Sequence, residues 1–185
     1  MRPARVDLVS TKAQDTQEAC APDLPYHPFL FTFRDLISGD GFLAGITVSG
    51  RILMAAEDGK WWVYGVRPAA IAESGESPQE ALFRFRTRYK EILFDIAGEC
   101  RTFEAFKQEA ERFFYEPDFE EERKWEDALI KIRQESLSSP PQFSNLPKEK
   151  PERHPSQITV ERLDGENRRF MPTDNVPDVY SAVAG

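Results

Sequence analysis

"EDGKWWVYGVRPAAIAESGESPQEALFRF", residues 57–85, decides the fold. Asp58-Gly59 stands between two strand-like runs, and Asp-Gly favours the tight type I′ turn, whose two central residues take positive φ. That turn sets a register in which Glu57 faces Lys60, Ala56 faces Trp61, Ala55 faces Trp62, Met54 faces Val63 and Leu53 faces Tyr64. Side chains alternate along a strand, so Trp61 and Val63 share one face while Leu53, Trp62 and Tyr64 share the other. Both faces are apolar. An antiparallel sheet usually leaves one face wet, so something has to cover the second: another part of the chain, a second copy, or a partner.

Downstream, Arg67-Pro68 ends the strand and AAIAESG is short enough for a last strand and turn. A helix start follows: Ser77 as N-cap, Pro78 at the first helical position, and Glu80 completing an S-x-x-E capping box. Leu82, Phe85, Tyr89, Leu93 and Ile96 form its apolar stripe, broadened by Phe83, Ile92 and Phe94, and Gly98 offers a C-terminal cap. Thr102 caps a second helix carrying Phe103, Phe106, Ala110 and Phe113, stopped by Glu116-Pro117. Asp118 with Glu121 caps a third, heavily charged helix whose stripe is Trp125, Leu129 and Ile132.

Upstream, FLFTF alternates from Phe29 to Phe33, and SGDG at 38–41 supplies turn residues before GFLAGITVSGRILMAA. Phe42, Ala44, Ile46, Val48, Ile52 and Met54 share the core parity. Gly50 marks either a bulge or a close backbone approach, within one long bent strand or between two shorter ones. The fold class expected is α+β, a small antiparallel sheet packed by helices. Residues 1–27 read as a flexible arm, 28–136 as the domain, 137–157 as a proline-rich linker without a regular element, and 158–185 as a tail, partner-binding or disordered, in which ITVERL offers one more strand.

Composition narrows the function. A formal charge of −8 repels nucleic acid and anionic lipid, and the basic run RFRTRYK places Arg84, Arg88 and Glu91 on one solvated helix face. Cys20 and Cys100 have no paired spacing, so both read as thiols of a reducing cytoplasm. No run approaches the roughly 20 apolar residues that span a bilayer, and the N-terminus lacks an apolar signal core, so a cytoplasmic protein is expected. No phosphate loop, nucleophile elbow or zinc spacing occurs; His27 and His154 sit beside prolines and read as surface loop histidines. No catalytic residue, cofactor or metal is expected.

The order hairpin, short strand and capped helix resembles the HicB-like antitoxin family, whose glycine-terminated hairpin leads through a short strand to a G-x-[ST]-x-x-E-A helix start. The matching residues are Glu57-Asp58-Gly59, Trp61 to Val66, then Gly75, Ser77, Glu80, Ala81 and Leu82, within residues 46–97. The resemblance implies a degraded ribonuclease-H-like sheet and a role in binding and neutralising a small toxin ribonuclease. An active ribonuclease-H-like site would want an acid in the first strand, where GITVSGRIL has none. Beyond residue 97 the chain departs from the family pattern, carrying two aromatic, acidic helical segments where members often carry a DNA-binding module.

The expectation is therefore a non-enzymatic protein-binding module whose partner is another protein, a toxin among the options, or a second copy. Its binding surface is expected at Leu53, Trp62 and Tyr64 on the hairpin, joined by Ile158, Val160, Phe170 and Tyr180 of the tail. The competing readings are a structural or self-associating subunit and a metal-dependent nuclease or hydrolase subunit.

Overall fold

The computed structural model describes residues 25–147 and 156–165, in which five antiparallel strands form one sheet with helices on both faces, an α+β fold. Strand β1 (His27–Gly39) turns through Asp40-Gly41 into β2 (Phe42–Glu57), and the two pair along their whole common length, from His27 opposite Met54 to Gly39 opposite Phe42. The other edge of β2 is shared. Its first half, from Ala44 to Ser49, pairs with β5 (Gln157–Arg162), and its second half, from Arg51 to Glu57, pairs with β3 (Lys60–Arg67). Strand β4 (Ala72–Gly75) completes the path on β3.

The β2–β3 turn has the conformation its residues demand, with φ of 50° at Asp58 and 77° at Gly59, and the register runs from Glu57 opposite Lys60 to Leu53 opposite Tyr64 as the turn requires. Gly50 lies at the handover from β5 to β3. A Cβ there would stand 2.2 Å from the Phe31 ring and 2.3 Å from the Arg67 carbonyl oxygen, and the ladder shifts register between Arg51 and Ile52. Close approach and bulge therefore coincide within one long strand.

The main core lies between the inner sheet face and two helices, α1 (Pro78–Glu99) and α2 (Phe103–Tyr115). Ala81, Phe85, Tyr89, Leu93 and Ala97 recur every four residues on α1 and are all buried, because positions four apart stack on one helix face. Phe106, Ala110 and Phe114 do the same on α2. The Ser77 hydroxyl accepts the Glu80 N–H at 3.2 Å, while the Glu80 carboxylate accepts the N–H of Glu76 at 2.9 Å, one residue earlier than the ordinary capping box. Gly98 does not end the helix: the Cys100 N–H closes on the Ile96 carbonyl at 3.2 Å, since the buried Cys100 side chain holds the next turn against the core. Phe83 and Phe94 do not broaden the stripe, being 70% and 39% exposed; Phe83 precedes Phe85 by two residues, about 200° around the helix.

Tyr89 is fully buried between Phe33 and Phe113, and its hydroxyl has no hydrogen-bond partner among the described residues. Burial raises its pKa. An unpartnered buried hydroxyl carries its desolvation cost without return, so Tyr89→Phe is expected to raise stability by about 1 kcal/mol. A urea midpoint unchanged or lowered would show that the hydroxyl does find a partner.

Three expectations need correction. The proline-rich segment contains a 3-10 turn, Pro141–Asn145, because proline suits the first positions of such a turn although it forbids a longer helix. From it Phe143 enters the core, its ring 4.9 Å from His27, 4.8 Å from Phe29 and 5.2 Å from Trp61. ITVERL does form a strand, β5, but its Ile158 and Val160 are no partner-binding surface: both are buried in the main core opposite Val48 and Ile46. His27 is no loop residue: it opens β1, is only 6% exposed, and burial lowers its pKa from the ordinary 6.5.

The folded state therefore holds His27 neutral at a pH where the unfolded chain is already protonating. Its stability contribution is fully present above about pH 6.5 and declines as pH falls toward the lower folded-state pKa. Against His27→Phe, whose ring fills the same place beside Phe143, the wild type is expected to lose more stability between neutral and mildly acidic pH. Parallel urea-midpoint curves for the two proteins would refute a titrating His27.

Candidate functional site

The outer face of the β2–β3 hairpin is covered by the chain itself. Helix α3 (Phe119–Arg133) lies across it and buries Leu53 and Val66 under Trp125 and Ala128, with Tyr26, Tyr64 and Leu129 closing the sides. Leu53 is wholly inaccessible, so it is a packing residue of this second core and not a binding surface. The same holds for Ile158 and Val160 in the main core. Trp62 and Tyr64 stay half-buried, their rings stacked at 5.9 Å, and the Tyr64 hydroxyl donates to Glu57 at 2.9 Å. Burial and that bond raise the Tyr64 pKa. Phe170 and Tyr180, like His154 and Cys20, lie outside the described residues.

A charged clamp fixes α3 in place. Arg51 of β2 and Arg67 of β3 stand opposite each other in the ladder, a repulsive pair unless something neutralises it. Glu122 does so: both its oxygens accept from Arg51 at 2.8 Å, one also accepts from Arg67 Nε at 2.8 Å, and a second Arg67 nitrogen donates to the Tyr115 carbonyl at 2.7 Å. The Arg51 guanidinium also lies 5.6 Å from the centre of the Trp125 ring. Reading the sequence missed this clamp because the bulge beside Gly50 brings Arg51 opposite Arg67, a pairing that an unbroken register from the turn does not give.

Beyond the clamp, the chain turns from α2 into α3 through Glu116-Pro117-Asp118, and Asp118 accepts the N–H groups of Glu120 and Glu121 at 2.9 and 3.2 Å. This elbow and the Ala69-Ala70 connection after β3 enclose an open cleft of about 430 Å³, lined also by Phe113, Glu116, Phe119 and Glu120. Ala70 has a φ of 57°, a left-handed conformation that costs a residue other than glycine roughly 1–2 kcal/mol. Phe119 is 81% exposed and Tyr115 45% exposed, outside both cores. In the sequence Phe119 stands six residues before Trp125, off the Trp125 stripe and among carboxylates, a position that by itself does not tell an exposed ring from a packed one.

Lys124 bridges Glu120 and Glu121 at 2.9 Å each. Burial opposes the Lys124 charge, but these two bonds together with the charge of Glu121 and Tyr26 raise its pKa. Glu121 is raised by burial, with Lys124 acting the other way. The Cys100 thiol is raised by burial and by Glu109 and Glu99, so it favours the protonated form. Among the described residues no group of three or more His, Cys, Asp or Glu side chains is placed to hold a metal ion. The basic face of α1 is locally neutralised, Arg84 by Glu80 at 2.6 Å and Arg88 by Glu91 at 3.2 Å. Among the described residues no helix is long and apolar enough to cross a membrane.

What this surface offers chemically is contact: an apolar recess, two exposed rings and a carboxylate lip. No family model, curated protein or solved structure matches the chain.

Proposed function

We propose that the chain is a non-enzymatic, HicB-like binding module that acts in the cytoplasm by covering a surface of another protein, as an antitoxin covers its toxin. The observation that carries this reading is the placement of Phe119 and Tyr115 at the α2–α3 elbow, 81% and 45% exposed beside half-buried Phe113. Rings exposed beside a recess supply large contact area at modest entropic cost, which suits a protein interface. The HicB-like part of the reading draws support from the meander of β2, β3 and β4 leading into capped α1, the same order as the family's motif. The surface differs from the one expected, because α3 already occupies the Leu53 face.

The test is affinity capture from the source cell extract with the full chain and with a Tyr115→Ala/Phe119→Ala variant, followed by light scattering of the eluted complex. A stoichiometric partner held by the wild type and lost by the variant is the expected result. Capture of nothing, alongside a stable homo-oligomer, would replace the reading with that of a self-associating subunit.

A further inference from the structure

We propose that the α2–α3 cleft docks a basic segment of a partner protein, one that presents an apolar or aromatic side chain flanked by lysine or arginine. This rests on the protein-binding reading and specifies the partner's chemistry. The lining of the recess and the charges around it converge on this. The apolar part of the recess is lined by Ala69, Ala70, Phe113, Pro117 and Phe119, and at about 430 Å³ it has room for a short run of side chains. Its polar lining consists of Glu116, Asp118 and Glu120, with no lysine or arginine among the lining residues.

The carboxylates around it exceed the cations that pair with them. Arg112 serves both Glu109 at 2.7 Å and Glu116 at 3.7 Å, and Lys124 serves both Glu120 and Glu121. Adding Asp118, the clamp and Arg123, whose charge acts on Glu120, six carboxylates (Glu109, Glu116, Asp118, Glu120, Glu121, Glu122) meet five cations (Arg112, Arg123, Lys124, Arg51, Arg67) among the described residues. The C-terminal end of α2 also lies here, its Tyr115 carbonyl already accepting from Arg67, so the pull on a partner's cation comes from the carboxylates. The Asp118 side chain already occupies the first N–H groups of α3, which turns that end away from anions. An acidic peptide would meet an unfavourable field in the same recess, and a neutral one would gain nothing from it.

Fluorescence anisotropy with the full chain tests this, using three labelled peptides of equal length. One has a central phenylalanine flanked on both sides by lysines, one the same phenylalanine flanked by glutamates, and one lysines around a central glycine. The lysine-phenylalanine peptide is expected to bind at least about tenfold more tightly than either of the others and to weaken steeply with added salt. Phe119→Ala, and separately Glu116→Gln/Glu120→Gln, are each expected to lower its affinity by about tenfold. All three positions are exposed, so the variants keep the fold. Binding that ignores peptide charge, or that survives both variants, overturns the proposal.

Failure here is separable from failure of the protein-binding reading. A native partner captured equally by wild type and by both variants overturns the cleft and leaves the reading standing. No captured partner and no peptide binding overturn both. Loss of a wild-type homo-oligomer in Phe119→Ala, without peptide binding, overturns the proposal in favour of a second copy as the occupant.

Discussion

Trp125→Ala is expected to lower stability by about 3–5 kcal/mol and to make the chain associate with itself more strongly as concentration rises. The second core is small: Leu53, Val66, Trp125 and Ala128 are its buried members, and Trp125 is much the largest. Its removal leaves a void between α3 and the sheet that Ala128 cannot fill, and the loss of contact falls on Leu53 and Val66, both now fully buried. The ring is also the surface over which Arg51 lies, so the clamp on Glu122 loses one wall as well. When α3 loosens, the apolar outer face of the hairpin reaches water, and a second copy is the nearest cover. Urea unfolding gives the first effect and light scattering over a concentration series the second. A variant within about 1 kcal/mol of wild type, with an unchanged mass, would mean that the clamp alone holds α3.

The clamp does not replace the packing. Glu122, Arg51 and Arg67 are each about one-fifth exposed, so their attraction is partly screened and partly spent on desolvation. What the clamp contributes is direction. It neutralises two like charges that the sheet places side by side and joins them to the start of α3, while the Arg67 bond to the Tyr115 carbonyl fixes the end of α2. The elbow that carries Phe119 is thus anchored on the sheet from both sides.

The parts of this fold that could be read in the sequence are those set by local chemistry. Asp58-Gly59 determines its hairpin register because two positive φ values admit few other residues, and Ser77 and Thr102 cap helices where their side chains accept N–H groups three residues on. What could not be read depends on contacts distant in sequence. Ile158 and Val160 look like tail anchors until β5 is seen beside β2, more than a hundred residues away in the chain. Phe143 stands among prolines, and only the packing of His27, Phe29 and Trp61 around it explains its burial. The Leu53 face was read correctly as needing a cover, but the choice among helix, second copy and partner rests on Arg51 and Arg67, whose pairing the bulge conceals. The candidate site suffered most. Phe119 carries no periodic signal, and an exposed ring is recognisable only once the cores are known.

Gly50→Val is expected to cost about 3 kcal/mol or more, and Gly50→Ala nearly as much, although valine is a far better strand former. The reason is that the first added carbon already has nowhere to go. Its position lies 2.2 Å from the Phe31 ring and 2.3 Å from the Arg67 carbonyl oxygen, and the second of these is backbone. Moving Phe31 disturbs its edge-on contact with Phe85 of α1, 5.5 Å between ring centres, at the middle of the main core. Moving Arg67 instead pulls β3 from β2 at the point where β5 gives way to it, and withdraws a guanidinium from Glu122. The main core therefore meets this residue through Phe31, and the clamp that holds α3 meets it through Arg67. If strand propensity or chain entropy governed the site, alanine and valine would each stabilise the protein relative to glycine. Urea unfolding of the two variants separates the accounts: a loss in both, with valine no better than alanine, marks a steric handover point, whereas a gain with valine would show that β2 can part from its neighbours at Gly50 without loss.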